Sequence, residues 1–246
     1  MDKKKNCYLS LVIPVYNEHN RIEKGLATAV DYLKKSRYDS EIIIVDDGSS
    51  DYTKNLAEKC LKKFPHKKIL QHSKNRGKGA AVRTGVLAAS GKYILFSDID
   101  FSTPLSELPK LLKELKNSDI AIGVRRDPRA KILKHQPFFR EFLGNIFTRL
   151  ANILVTPWIS DTTCGFKAYR LDSAKKIFTI SKIDRWAFDA EILFLAQKFR
   201  MKIAQVPVVW VNDAGTKVHI FADAARALYD IFRVRVYDIS GDYKGS

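Results

Sequence analysis

Acidic and amide side chains stand at three points where an apolar run of the chain ends. Asp98-Ile99-Asp100 follows Tyr93-Ile-Leu-Phe96, Asp46-Asp47-Gly48 follows Ile42-Ile-Ile-Val45, and Asn17-Glu18 follows Val12-Ile-Pro-Val15. On an extended chain alternate side chains share a face, so Asp98 and Asp100 project together. Two hard carboxylates at that spacing suit a divalent cation such as Mg2+ or Mn2+, which in turn neutralises phosphate charge. An Asp-x-Asp pattern recurs by chance; its place at the end of a buried strand gives it weight. Ser50 and Asp51 suit the N-cap of a following helix. Asp46 and Asp47 are not needed for that, and an acid there can accept hydrogen bonds from ribose hydroxyls or a base N–H. Asn75-Arg-Gly-Lys-Gly79 opens a helix of small residues. Backbone N–H groups and a lysine at such an N-terminus suit an anion, although the spacing is not that of a Walker loop.

These residues need elements to hold them. Short apolar runs alternate with segments of helical spacing: strands near 8–15, 41–45, 68–71 and 92–97, helices over 18–35, 51–64 and 79–89. Such alternation predicts an α/β fold with a mostly parallel sheet and helices on both faces. In that architecture ligands bind beyond the carboxyl ends of the strands, where the polar clusters fall. The second half is less regular. It predicts a helix over 105–115, a strand over 120–124, a long amphipathic helix over 138–155, a strand over 166–170, a helix over 187–199, a strand over 203–210 and a last amphipathic helix over 219–236. Residues 1–215 read as one catalytic domain, and 216–246 as a C-terminal amphipathic helix and tail.

Composition narrows the function classes. The 246 residues are 46% hydrophobic and 28% charged, enough to build a core. Cys7, Cys60 and Cys164 are far apart, which gives neither a zinc pattern nor a disulfide framework and fits a reducing compartment. No apolar run is long enough for a transmembrane helix, and the N-terminus does not read as a signal peptide. The net charge of +16 attracts polyanions. Helix-turn-helix, RNP and zinc patterns are missing, so nucleic acid is not the expected partner.

Taken together, Val12-Ile-Pro-Val-Tyr-Asn-Glu18, Ile44-Val-Asp-Asp-Gly-Ser-Ser-Asp51, Asn75-Arg-Gly-Lys-Gly-Ala80 and Ser97-Asp-Ile-Asp100 resemble, in order and spacing, the family 2 glycosyltransferases. Asp161-Thr-Thr-Cys-Gly-Phe-Lys167 and Arg185-Trp-Ala-Phe-Asp-Ala-Glu191 look like the dolichyl-phosphate β-glucosyltransferase branch, as does Trp210 with Gly215-Thr-Lys-Val218. The resemblance implies a GT-A fold with a Rossmann-like sheet and metal-dependent, inverting transfer of a hexose from a nucleotide sugar. UDP-glucose is the implied donor, with GDP-mannose as the alternative. The implied acceptor is a polyprenyl or dolichyl phosphate at the cytoplasmic membrane face, or, as an alternative, one that is not a lipid. It places Pro14, Tyr16, Glu18 and Asp46 or Asp47 at the base and ribose, and Lys78 near the nucleotide. Asp98 and Asp100 are placed at ribose, metal and diphosphate.

For the acceptor, Asp161 is the first candidate for a catalytic carboxylate. A phosphate monoester is largely ionised near neutral pH, its second pKa being about 6, so a base has little to do and Asp161 can serve by positioning. Arg125 and Arg126, with Lys167, are the candidate acceptor-phosphate donors. Asp189 and Glu191 stand two apart on a helix, so only one is expected to face the site; Asp189 is the second catalytic candidate. Trp186 reads as core. Phe138, Phe139 and the basic residues before them read equally as core or as an interfacial helix, which makes peripheral attachment to an anionic membrane an expectation.

Overall fold

Ser40–Asp46 is buried at every position, as a strand covered on both faces must be. The computed structural model describes residues 7–36, 38–134, 146, 148–211 and 220–244, without the side chains of 220–224. In chain order the elements are β1 (Leu9–Val15), α1 (Ile22–Ser36), β2 (Ser40–Asp46), α2 (Thr53–Leu61), β3 (Lys67–Gln71), α3 (Lys78–Ala88) and β4 (Tyr93–Ser97). A 3-10 turn at Leu105–Glu107 leads into α4 (Leu108–Glu114), β5 (Ile120–Val124) and β6 (Lys131–Lys134). Then come α5 over 148–154, β7 (Phe166–Arg170), α6 (Leu171–Ile180), α7 (Phe188–Lys198), β8 (Ile203–Pro207), β9 (Val209–Val211) and α8 (Ile220–Ile239).

Seven strands form one sheet in the order β3-β2-β1-β4-β7-β5-β8. Every pairing is parallel except the two made by β7, which runs against β4 and β5. The alternation along each strand divides the core. Val12, Ile43, Val45, Ile94 and Phe96 face one layer, built from α3, α5, α6, α7 and α8. Leu11, Ile13, Ile42, Ile44 and Leu95 face the other, built from α1, α2 and α4. After β3 the chain crosses back to lay β4 on the free side of β1. The strand order reverses there, which opens a crevice between the carboxyl ends of β1 and β4.

Several sequence expectations shift. The helix expected over 105–115 divides at Leu108, where Pro109 enters its first turn. The strand expected over 203–210 divides at Val208; β8 stays in the main sheet and β9 pairs with β6. The strand expected over 166–170 is present as β7 but runs antiparallel to its neighbours, while β6 and the helix α6 have no counterpart in the sequence reading. The last helix continues to Ile239. Half of the aromatic helix expected over 138–155, with Phe138 and Phe139, lies outside the described residues, as do 215–218.

Candidate active site

The polar strand ends meet at this crevice. Asp46 closes β2 and is fully buried; it accepts from the Ser49 amide (3.0 Å), the Ser49 hydroxyl and Gln71 Nε2 (2.9 Å). Asp47 is nearly as buried and accepts four contacts. The Arg76 and Gly77 amides approach at 3.0 and 2.7 Å, Asn75 Nδ2 at 2.9 Å, and the His72 ring Nδ1 at 2.7 Å. Asp47 is therefore what shapes the 75–77 loop, and its oxygens are filled. Asp46 keeps acceptor capacity on Oδ2. Tyr16 is exposed and Pro14 half-buried at the end of β1. Asn17, in the left-handed region at φ 53, accepts the Ser50 amide at 2.9 Å. Glu18 holds Arg21 in a two-pronged pair at 2.7 Å.

Gly77, at φ 116, turns the chain into α3 and presents Lys78 to the crevice. The Lys78 ammonium lies 2.7 Å from Asp98 Oδ1 and against the rings of Phe96 and Trp186 at 5.4 and 5.3 Å. Burial favours the neutral amine, but Asp98, Asp189 and Asp100 outweigh it and raise the pKa of Lys78. Asp100 moves the other way from an ordinary acid: burial and then the charge of Asp98 push its carboxyl up.

Asp98 and Asp100 fit the implied divalent cation. They are hard oxygen donors two residues apart, and the crowding of negative charge there is what a cation relieves. Among the described residues no group of three or more His, Cys, Asp or Glu could hold a metal alone. Phosphate oxygens and water would complete the shell, as Mg2+ sites usually require.

A second cluster, at the residues expected to meet the acceptor, is built from charges far apart in sequence. Asp161 is fully buried and receives Arg125 Nε and Nη2 at 2.7 and 2.9 Å, the Arg125 amide at 3.0 Å and Arg126 Nη1 at 2.9 Å. Burial alone would raise the Asp161 carboxyl; the two guanidinium groups hold it well below the usual carboxylate range. Arg125 also reaches Thr163 Oγ1 and lies against the Trp210 ring at 5.5 Å. Lys167, grouped with these cations on sequence, is placed differently. Its ammonium is buried and donates to the Cys164 carbonyl (2.5 Å) and Asp189 (2.7 Å). Burial pushes the Asp189 carboxyl up against the pull of Lys167 and Lys78.

Of the two acids on α7, Asp189 faces the site. Glu191 turns away and accepts the Lys182 and Ile183 amides and the Tyr243 hydroxyl. Two positions at the candidate site escaped the sequence reading. Trp186 is not core: it is 40% exposed beside Lys78, and its place between Arg185 and the start of a helix was the available signal. Gly165 joins the two halves. A Cβ there would stand 2.1 Å from Asp98 Oδ2, and its carbonyl accepts the Asp98 amide at 3.3 Å. A glycine directly before a strand was the only sign of it.

The chain matches the model of Glycosyl transferase family 2 over residues 10–178. It is 36% identical over 252 residues to a dolichyl-phosphate beta-glucosyltransferase of Dictyostelium discoideum, covering 97% of this chain and 77% of that protein. It is 33% identical over 250 residues to the Homo sapiens protein of the same name, covering 96% and 77%. Among solved structures, glucosyl-3-phosphoglycerate synthase from Mycobacterium tuberculosis with phosphoglyceric acid superposes with a TM-score of 0.70 at 18% identity, covering 94% of this chain and 81% of that one. Another crystal of that enzyme holds Mn2+, uridine-diphosphate and glucosyl-3-phosphoglycerate, with a TM-score of 0.66 at 17% identity, covering 94% and 81%. With the fold, the family match and relatives that span nearly the whole chain in agreement, the protein belongs to glycosyl transferase family 2, as a GT-A fold glycosyltransferase of the dolichyl-phosphate beta-glucosyltransferase branch.

Proposed function

We propose that the protein transfers glucose from UDP-glucose to a polyprenyl or dolichyl phosphate, with inversion, at the cytoplasmic face of a membrane. The observation that carries this reading is the junction at Gly165. It stands against Asp98, which pairs with Lys78 in the group read as the nucleotide's, and it follows closely on Asp161, which holds Arg125 and Arg126 in the group read as the acceptor's. An acceptor phosphate oxygen attacks the anomeric carbon. The bond from that carbon to the diphosphate oxygen breaks, and its electron pair leaves with UDP. A bound Mg2+ or Mn2+ supplies charge stabilisation for the departing diphosphate. Asp98 and Asp100 would hold it. Lys78 is a fixed cation beside the same leaving group, and such preorganised charge is where transferases gain most.

The acceptor arrives as a phosphate already largely ionised, with its second pKa about 6, so no strong base is needed. Asp161 suits a positioning role, since two arginines hold it ionised and it fixes their planes. Arg125 and Arg126 then present donors to the phosphate. Asp189 holds Lys167 on one side and bears on Lys78 on the other, which keeps the cations in register.

Support for the membrane comes from α8. Leu228, Tyr229, Phe232, Val236 and Ile239 form an exposed apolar stripe beside exposed Arg226 and Arg235. Among its described side chains, the acids Asp230 and Asp238 are taken up by Arg233 and Lys198. An apolar stripe flanked by arginine suits an anionic interface. Among the described residues no helix is long and apolar enough to cross a membrane.

The test is transfer of labelled glucose from UDP-glucose to a short polyprenyl phosphate with Mn2+. A glucosyl-phospholipid product is expected. Turnover of GDP-mannose in its place moves the donor assignment, and transfer only to soluble acceptors refutes the lipid. Vesicles containing anionic lipid should retain the protein, less so as salt rises, and Phe232→Asp should weaken that retention.

A further inference from the structure

The C-terminal tail turns back into the body of the protein. Gly241 adopts φ 81 after α8, and the chain reverses so that Tyr243 becomes 1% exposed. Its ring packs on Phe194 of α7 and Tyr237 of α8, with centroids 6.1 and 5.9 Å away. Its hydroxyl donates to Glu191 Oε1 at 2.6 Å. Glu191 is fully buried and holds the amides of Lys182 and Ile183 at 2.7 and 2.9 Å. Asp242 adds a second tie to the same segment through Lys182 Nζ at 2.8 Å.

That segment is the seat of the phosphate loop. The Asp184 carbonyl accepts the Ala80 amide at 3.0 Å. Arg83 of α3 donates to Ser181 Oγ, the Ile183 carbonyl and Asp184 Oδ1. Gly77 and Gly79 lie so close that a Cβ would stand 2.4 Å from the Asp184 carbonyl oxygen and 2.6 Å from that of Ile183. Lys78 lies between those two glycines. The path from the tail to Lys78 therefore runs through one hydroxyl, one carboxylate and one short stretch of backbone.

We propose that Tyr243 is a positioning residue for the nucleotide: through Glu191 it fixes the 181–184 segment and hence the height of the Gly77–Gly79 loop and its lysine. This rests on the reading of that loop as the nucleotide's. A small displacement of a positioning group is felt in binding of the charged ligand, because charge stabilisation depends on fixed geometry. Tyr243→Phe keeps the ring and removes only the hydroxyl.

The experiment has two arms. In the unliganded protein, hydrogen exchange should speed up at the amides of 77–83 in Tyr243→Phe, and in Glu191→Gln as well. In the liganded protein, Tyr243→Phe should raise the UDP dissociation constant with Mn2+, and the KM for the nucleotide sugar, by about threefold or more while kcat changes less. Leu61→Ala, in the opposite core layer, is the control for general destabilisation and should leave both arms unmoved at 77–83. Unchanged exchange at 77–83 in Tyr243→Phe overturns the proposal, as does a UDP affinity that falls equally in the control. Wild-type protein that binds no nucleotide refutes the donor reading instead, and the exchange arm still decides whether Tyr243 fixes the 77–79 loop.

Discussion

The half proposed for the nucleotide and the half proposed for the acceptor handle charge in opposite ways. Beyond β2, acids bind backbone amides: Asp47 takes two, and Asp46 takes one with two side chains. Beyond β5 and β7, acids bind distant cations, Asp161 with Arg125 and Arg126 and Asp189 with Lys167. The first arrangement gathers a loop through its backbone amides. The second clamps separate segments together with buried ion pairs. The difference teaches that similar acid-rich clusters do different work, and that removing one acid has a different cost in each half.

Asp161→Asn should show the largest effect on folding. A buried pair that loses one partner typically costs about 3–5 kcal/mol, because the remaining charge stays desolvated. Arg126 keeps some solvent contact, so the lower end is expected, with transfer activity largely lost. Urea unfolding checks it, and a loss under about 1 kcal/mol, as for a surface pair, would remove the contrast between the halves. The pH sign follows from the depressed carboxyl. The unfolded state binds its proton near pH 3.9 and the folded state only below that. The contribution of Asp161 is therefore full above about pH 5 and is lost as pH falls through the acid range. The gap between wild type and variant should narrow there.

The same contrast explains what the sequence could reveal. The segments proposed for the nucleotide, 44–51, 75–80 and 97–100, each show a polar motif within one stretch, although Asp47 binds the 75–77 loop across 28 to 30 residues. Strand ends and motif spacing make those motifs legible. The acceptor half is assembled across 35 or 36 residues between Arg125 or Arg126 and Asp161, and across 22 between Lys167 and Asp189. No periodicity reports such pairings. β7 escaped as an antiparallel strand because alternation of strands and helices describes only parallel crossovers. The integration of the tail escaped too, because a helix with an exposed stripe reads as an appendage until Tyr243 is seen against Glu191.

Asp47→Asn should be intermediate. An amide nitrogen cannot accept from the Gly77 or Arg76 amides, so one of the oxygens that gather the 75–77 loop is lost. An unsatisfied buried donor costs about 1–3 kcal/mol. The loop carries Lys78, so the KM for the nucleotide sugar should rise together with a lower melting temperature. A variant that melts lower with an unchanged KM would detach the loop from nucleotide binding.

Asp100→Asn should cost the fold least while affecting the ligand strongly, which is the sharpest form of the comparison. Asp100 makes one structural hydrogen bond, from the Ser102 amide to Oδ1 at 2.9 Å, and an asparagine oxygen can keep it. The carboxylate itself is opposed by burial and by Asp98, and its pKa is raised. For an acid this means that the folded state holds its proton more tightly than the unfolded one. Stability then falls as pH rises from about 3.9 through the folded value. The variant removes that loss, so above this range it should melt at or slightly above wild type in the absence of ligand. Metal binding responds in the opposite sense, because a neutral amide oxygen is a poorer partner for a hard divalent cation. Affinity for UDP in the presence of Mn2+ should fall by about tenfold or more, equivalent to about 1.4 kcal/mol. Chelation of the metal should bring wild type down to the level of the variant. Calorimetry of both proteins, with and without Mn2+, reads the two effects separately. Equal UDP affinity in the two proteins would remove the metal from Asp100. A lower melting temperature in the variant would make Asp100 a structural acid like those of the other half.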